Sequence, residues 1–142
     1  MVDQLIRLGC IPNKTFKLQF PTDKQLPQKY MSCFIRGVFD GDGGVSLKKL
    51  KNKGMSFEIT GTEQFLIGIR NVLIKQGILG NKRSYIYASH SKNQIIKRIV
   101  SSKKSSVSGL YEYLYSDATI YMKRKKEKLE KLISEYRDNH IV

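Results

Sequence analysis

The sequence is poor in the residues that build metal clusters and covalent frameworks, with two cysteines, Cys10 and Cys33, and two histidines, His90 and His140, among 142 residues. The cysteines lie too far apart for a Cys-x-x-Cys pair, and with two histidines they have no local spacing for a four-ligand zinc site. Both thiols are expected to be reduced. No apolar run approaches the ~18 residues that span a bilayer, so no membrane partner is expected. The first four residues lack the basic start and apolar run of a signal peptide, and they are not the Arg/Ser-rich, acid-poor opening of a transit peptide. That points to an intracellular protein, and the Lys, Ile, Asn, Tyr and Ser bias suggests an AT-rich phage, bacterial or organellar genome. Acidic residues are also scarce. Lys plus Arg number 26 against 12 Asp plus Glu, a formal charge of +14, and an excess of that size predicts a polyanionic partner.

The length suits one domain. All three prolines, Pro12, Pro21 and Pro27, fall in the first 27 residues, so 1–26 reads as an extended arm with a little helix at its start, and 27–142 as the domain. A short apolar helix is expected to begin at Pro27 and to stop at the glycines at 41, 43 and 44. Alternation of Val45 and Leu47 with Ser46 and Lys48, and of Phe57 and Ile59 with Ser56, Glu58 and Thr60, predicts a β-hairpin over 44–50 and 55–62 around the turn 51–54. Phe65, Leu66, Ile69, Val72 and Leu73 recur at helical spacing over 63–76, with Thr62 as a candidate N-cap and Gly77 as the stop. Strands over 83–89 and 94–101, a short helix from Ser105 and a long C-terminal helix through Leu129, Leu132, Ile133 and Tyr136 complete the order. The expected fold is α+β, an antiparallel sheet with helices on one face.

The charge is not spread evenly. Between Ser46 and Lys104 there are 13 Lys/Arg against Glu58 and Glu63, which places most of the excess with the predicted sheet. The strand positions opposite the apolar ones hold Ser46, Lys48, Ser56, Glu58, Thr60, Arg83, Tyr85, Tyr87 and Ser89, with Arg98 on the last strand. A sheet ribbon carrying such groups can lie in a DNA groove and contact base edges and phosphates. The plainer reading is the solvated face of a basic protein. The run Lys123-Arg124-Lys125-Lys126 likewise reads either as one solvated helix face, tempered by Glu127 and Glu130, or as a set of phosphate contacts.

The most specific stretch is Phe34-Ile35-Arg36-Gly37-Val38-Phe39-Asp40-Gly41-Asp42-Gly43-Gly44. A calcium loop fails, because the ligand pattern needs an oxygen residue at 44 and a Glu at 51 where the chain has Gly44 and Lys51. A plain Asp/Gly turn is the weak alternative. Cys33, Gly37 and Gly41, however, recur every fourth residue, so small side chains line one stripe of the preceding helix and let a second helix approach closely. Asp40 and Asp42 fall at the end of that stripe. Two copies packed along it bring their carboxylates together beside a basic sheet, where they suit a hard divalent cation such as Mg²⁺.

Residues 35–43, I-R-G-V-F-D-G-D-G, resemble the LAGLIDADG motif of homing endonucleases, and the element order is similar to that family's αββαββα core. The resemblance extends to the Gly-Thr pair in Thr60-Gly61-Thr62 and to Leu114-Tyr115, Asp117-Ala118 and Arg124-Lys125, covering most of the chain from about Pro27 to Tyr136. It implies that Asp42 is the catalytic, metal-binding aspartate and that Asp40 is structural or capping. It places Gly37 and Gly41 at a helix–helix interface, and makes Lys125, or else Arg124, the basic residue near the scissile phosphate. Where some relatives carry an active-site glutamine, this chain has Gly61. The implied activity is a metal-dependent, staggered double-strand cut in a long specific site of double-stranded DNA. One motif per chain then requires either a homodimer or a second half in a larger protein, and residues 8–21 look like the segment that joins the halves of larger relatives. The rivals are a non-cleaving transcription regulator or intron maturase of the same fold, an intein remnant, disfavoured by the absence of splicing residues, and a small basic RNA-binding protein of another fold.

Overall fold

The computed structural model describes residues 2–8, 10, 16–47, 55–82, 84–89, 92 and 95–138. Among them are five α-helices and one four-stranded antiparallel sheet, a mixed α+β architecture. The first helix, α1 (Val2–Arg7), buries no side chain and exposes Val2, Leu5 and Ile6. The chain then becomes anchored at Leu18, Phe20 and Leu26, which pack on the core. Phe20 occupies the space left by the missing side chain of Gly68 and meets Phe34 and Phe65 at ring-centroid distances of 5.8 and 6.2 Å.

The helix expected from Pro27 starts later. Pro27 is extended (ψ 142°), a 3-10 turn spans Gln28–Tyr30, and α2 runs Met31–Asp42. Met31, Ile35 and Phe39, four residues apart, form its buried stripe. The helix passes through Gly41 and ends at Gly43, where the backbone turns extended. A Cβ at Gly43 would run into the Phe39 ring and carbonyl, so only glycine allows the chain to turn directly into β1 (Gly43–Ser46).

β1 pairs with β2 (Ser56–Thr62), β2 with β4 (Ile96–Ser101) and β4 with β3 (Ile86–Ala88), in the order β1-β2-β4-β3. The expected turn over 51–54 lies outside the described residues. Directly paired residues share a face, so Val45, Phe57, Ile59, Ile99 and Ile86 lie together on one side. Phe57, Ile59 and Ile99 are fully buried there under the helices. The third strand is shorter than expected because Tyr85 has φ +59°, a left-handed conformation that breaks the extended run.

α3 (Glu63–Lys75) buries Phe65, Leu66, Ile69 and Leu73 against the sheet and ends at Gly77 (φ +70°), with the Ile78 amide donating back to the Leu73 carbonyl at 2.9 Å. Thr62 takes the N-cap position, yet its hydroxyl donates to the Leu18 carbonyl at 3.4 Å and fastens the arm instead of capping the helix. α4 (Lys104–Tyr115) and α5 (Lys123–Asp138) pack on each other. Ile120 and Met122, expected within the last helix, lie before it and are exposed. No helix among the described residues is long and apolar enough to cross a membrane.

Candidate functional site

Three elements converge where α2 meets β1. Asp40, in the last turn of α2, is held by both carboxylate oxygens: the Tyr115 hydroxyl donates to Oδ1 at 2.6 Å and the Met122 amide to Oδ2 at 2.8 Å. One carboxylate therefore ties α2 to the end of α4 and to the start of α5, filling an amide that the first turn of α5 leaves open. Burial, and then the bond to Asp40, push the Tyr115 phenol far above its ordinary value of 10.0. Arg36, one turn earlier, adds a second tie by donating to the Leu114 carbonyl at 2.9 Å.

Asp42 differs from its neighbour. It is exposed and, among the described residues, engages in no hydrogen bond or close ion pair. Its carboxylate stands at the C-terminal end of α2, the negative end of the helix dipole, an unfavourable place for an anion that a cation would relieve. Lys125 approaches from α5. Its Nζ donates to the Gly43 carbonyl and lies 6.0 Å from the Phe39 ring centroid, and the residue is buried. Burial, with Arg124 and Lys128 nearby, lowers its pKa below the usual lysine value against the opposing pull of Asp40 and Asp42. Residues 125, 129, 132 and 136 share a helical stripe with the buried Leu129 and Leu132, so Lys125 caps the α2 terminus from the core side. Arg124 is exposed beside it.

Cys33, Gly37 and Gly41 lie on the exposed side of α2, and a Cβ added at Gly37 or Gly41 would meet nothing within 4 Å. The stripe is flanked on both sides. A cleft of about 720 Å³ separates it from Leu8, Cys10 and Leu18 of the arm and reaches Asp42, and another of about 470 Å³ separates it from Ile120, Tyr121 and Met122.

Of the residues expected to face DNA, Ser46, Ser56, Glu58, Thr60, Arg98 and Tyr87 share the sheet face opposite the core. Ser46 pairs with Ser56, and Arg98 stands between Thr60 and Tyr87. Arg98 donates to Glu58 Oε2 and to the Ala88 carbonyl, each at 3.1 Å, so the charge of this pair is largely balanced within the protein. Tyr85 lies off the strand and half-buried, its hydroxyl accepting from the Gly80 amide at 3.2 Å. Ser89 is half-buried just beyond β3, and its amide donates to the Ile96 carbonyl at 3.3 Å. Lys48 and Arg83 lie outside the described residues. On α5, Lys123 and Lys126 pair with Glu127 and Glu130 at 3.7 and 3.6 Å, as expected of a solvated helix face.

No group of three or more His, Cys, Asp or Glu that could hold a metal occurs among the described residues. One exposed carboxylate per chain nevertheless fits Mg²⁺, which takes one or two carboxylates and keeps water or phosphate oxygens in its other positions. No protein-family model matches the chain, and no curated protein matches it. The Tyr115 to Asp40 bond and the burial of Lys125 were not anticipated from sequence. For Lys125 the signal is present in its spacing from Leu129, Leu132 and Tyr136.

Proposed function

We propose that the chain is a LAGLIDADG-type site-specific DNA endonuclease of the αββαββα kind, acting as a homodimer with a divalent cation, Mg²⁺ or a similar ion. The observation that carries this reading is Asp42, an exposed carboxylate without a close partner among the described residues, at the end of a helix whose outward stripe, Cys33, Gly37 and Gly41, carries only small residues. Two such helices pairing along the stripe bring two Asp42 carboxylates to one axis, one for each strand of a duplex. A bound divalent cation supplies the Lewis acidity for phosphodiester hydrolysis. Asp42 would hold that ion; Asp40 fixes the helix that carries Asp42; and Lys125 holds the α2 terminus through the Gly43 carbonyl with its positive charge close to both aspartates. The polar sheet face and the exposed cations of α5 would lie on the DNA.

A second reading is favoured by Lys125 itself. Because its ammonium is engaged inside the protein, a chain that binds DNA or RNA without cutting it also accommodates this geometry. Molar mass by light scattering at moderate salt, with and without duplex DNA, tests the pairing. A mass of two chains is expected, and a monomer even with DNA overturns the homodimer.

A further inference from the structure

On the sheet face away from Asp42's cleft, a cavity of about 670 Å³ is lined by Tyr85, Tyr87, Arg98, Val100, Ser102 and Lys103. We infer that this cavity receives a single unstacked nucleotide, its base against the tyrosines and its phosphate at Lys103. The inference rests on the nucleic-acid reading above and adds a particular kind of contact to it.

Tyr85 is built in rigidly. It is the one non-glycine residue with positive φ among those described, and two bonds hold it there: the Gly80 amide donates to its hydroxyl, and the Val100 amide donates to its carbonyl, each at 3.2 Å. A strained residue held in place by its surroundings is characteristic of a binding position. Tyr87, two residues on, is 47% exposed although it stands in the sheet register opposite Arg98. Tyr85, packed against the core, and Tyr87, open to solvent, thus both border one small cavity beside the planar guanidinium of Arg98. Glu58 balances that guanidinium, so this end of the cavity suits a neutral flat group more than a second phosphate. Lys103, exposed at the N-terminus of α4 and without an ion pair among the described residues, also lines the cavity. With two tyrosines and Val100 in its lining and Lys103 as a cation, the cavity matches the chemistry of a nucleotide. Within a duplex the faces of a base are covered by its neighbours, so only a base out of the stack can lie on a tyrosine ring.

The test compares binding of a duplex with binding of the same duplex carrying one bulged thymidine, for the wild type, Tyr87→Ala and Tyr87→Phe. The wild type should prefer the bulged duplex by roughly 5- to 150-fold, the weight of one base stacked on an aromatic side chain. Tyr87→Ala should lose the preference, its affinity falling more for the bulged duplex than for the plain one, and Tyr87→Phe should retain it. Equal wild-type affinity for the two duplexes, or equal loss on both in Tyr87→Ala, overturns the inference while leaving DNA binding intact. If neither duplex binds, the nucleic-acid reading fails, and an NMR titration with thymidine monophosphate decides the cavity separately. Shifts at Tyr85, Tyr87 and Lys103 then uphold it, and their absence overturns it.

Discussion

Replacing Asp40 separates the framework of the site from its chemistry. Its two carboxylate oxygens accept from the Tyr115 hydroxyl and the Met122 amide, bonds that span 75 and 82 residues of sequence. A hydrogen bond to a charged group contributes about 1.5–3 kcal/mol, and because Asp40 is partly exposed the lower value applies, giving about 3 kcal/mol lost in Asp40→Ala. Asp40→Asn should cost about 1 kcal/mol, since its oxygen can still accept from the Met122 amide while its NH₂ donates to the Tyr115 oxygen, a neutral arrangement of the same shape. With a urea m-value of about 2 kcal/mol per M, the midpoint of Asp40→Ala should fall by about 1.5 M and that of Asp40→Asn by about 0.5 M. Combining Asp40→Ala with Tyr115→Phe should give a coupling of about 1–2 kcal/mol in a double-mutant cycle. Additive effects, or a midpoint for Asp40→Ala within 0.2 M of the wild type (about 0.4 kcal/mol at that m-value), would refute the role assigned to this carboxylate.

Gly37→Ala adds a methyl that meets nothing in the single chain, so it should stabilise the monomer by about 0.5–1 kcal/mol through helix propensity. In a light-scattering dilution series the same variant should dissociate at higher protein concentration than the wild type; unchanged association would remove the α2 stripe from the interface. Glu58→Gln deletes the carboxylate that holds Arg98, so it should tighten duplex binding and steepen the log K against log salt slope by about 0.9, one added phosphate contact. Unaltered salt dependence would mean that Arg98 does not face DNA. Alkaline pH should destabilise the fold. Tyr111, Tyr113, Tyr115 and Tyr136 have pKa values raised above 10.0, so the stability they contribute is present below pH 10 and is lost as the pH climbs through their folded values. Lys125, lowered, acts in the opposite sense below 10.5. Urea melts of Tyr115→Phe should show a shallower decline above pH 10 than the wild type, and an identical decline would contradict the raised phenol.

Much of the framework can be read locally, because period-two and period-four spacing report which face is buried. Phe57 and Ile59 in β2, and Phe65, Leu66, Ile69 and Leu73 in α3, take the positions that their spacing predicts. Gly77 ends its helix with the left-handed φ that makes glycine the natural stop. What local pattern omits is contact between distant segments. Thr62 looks like an N-cap, but its hydroxyl is drawn to Leu18, 44 residues away, once the arm docks. Tyr85 belongs to an aromatic, β-branched run that reads as strand, and its left-handed backbone is set by bonds to Gly80 and Val100. Lys125 sits within a basic run that reads as a solvated face or as phosphate contacts, and its place on the Leu129 and Leu132 stripe turns it inward. The nearness of Asp40 and Asp42 is evident in the motif. Their different environments, one held twice and the other open, depend on where Tyr115 and Met122 come to rest.

Cleavage is tested most directly by incubating the wild type and Asp42→Asn with a randomised duplex library, with Mg²⁺ or with EDTA, and sequencing the ends produced. Paired Asp42 sites predict recurrent double-strand ends from the wild type with Mg²⁺ alone, and none from Asp42→Asn, whose affinity for the same duplexes stays within a few-fold of the wild type. Equal cutting by Asp42→Asn, or no recurrent ends from a wild-type dimer bound to the library, would contradict the assignment.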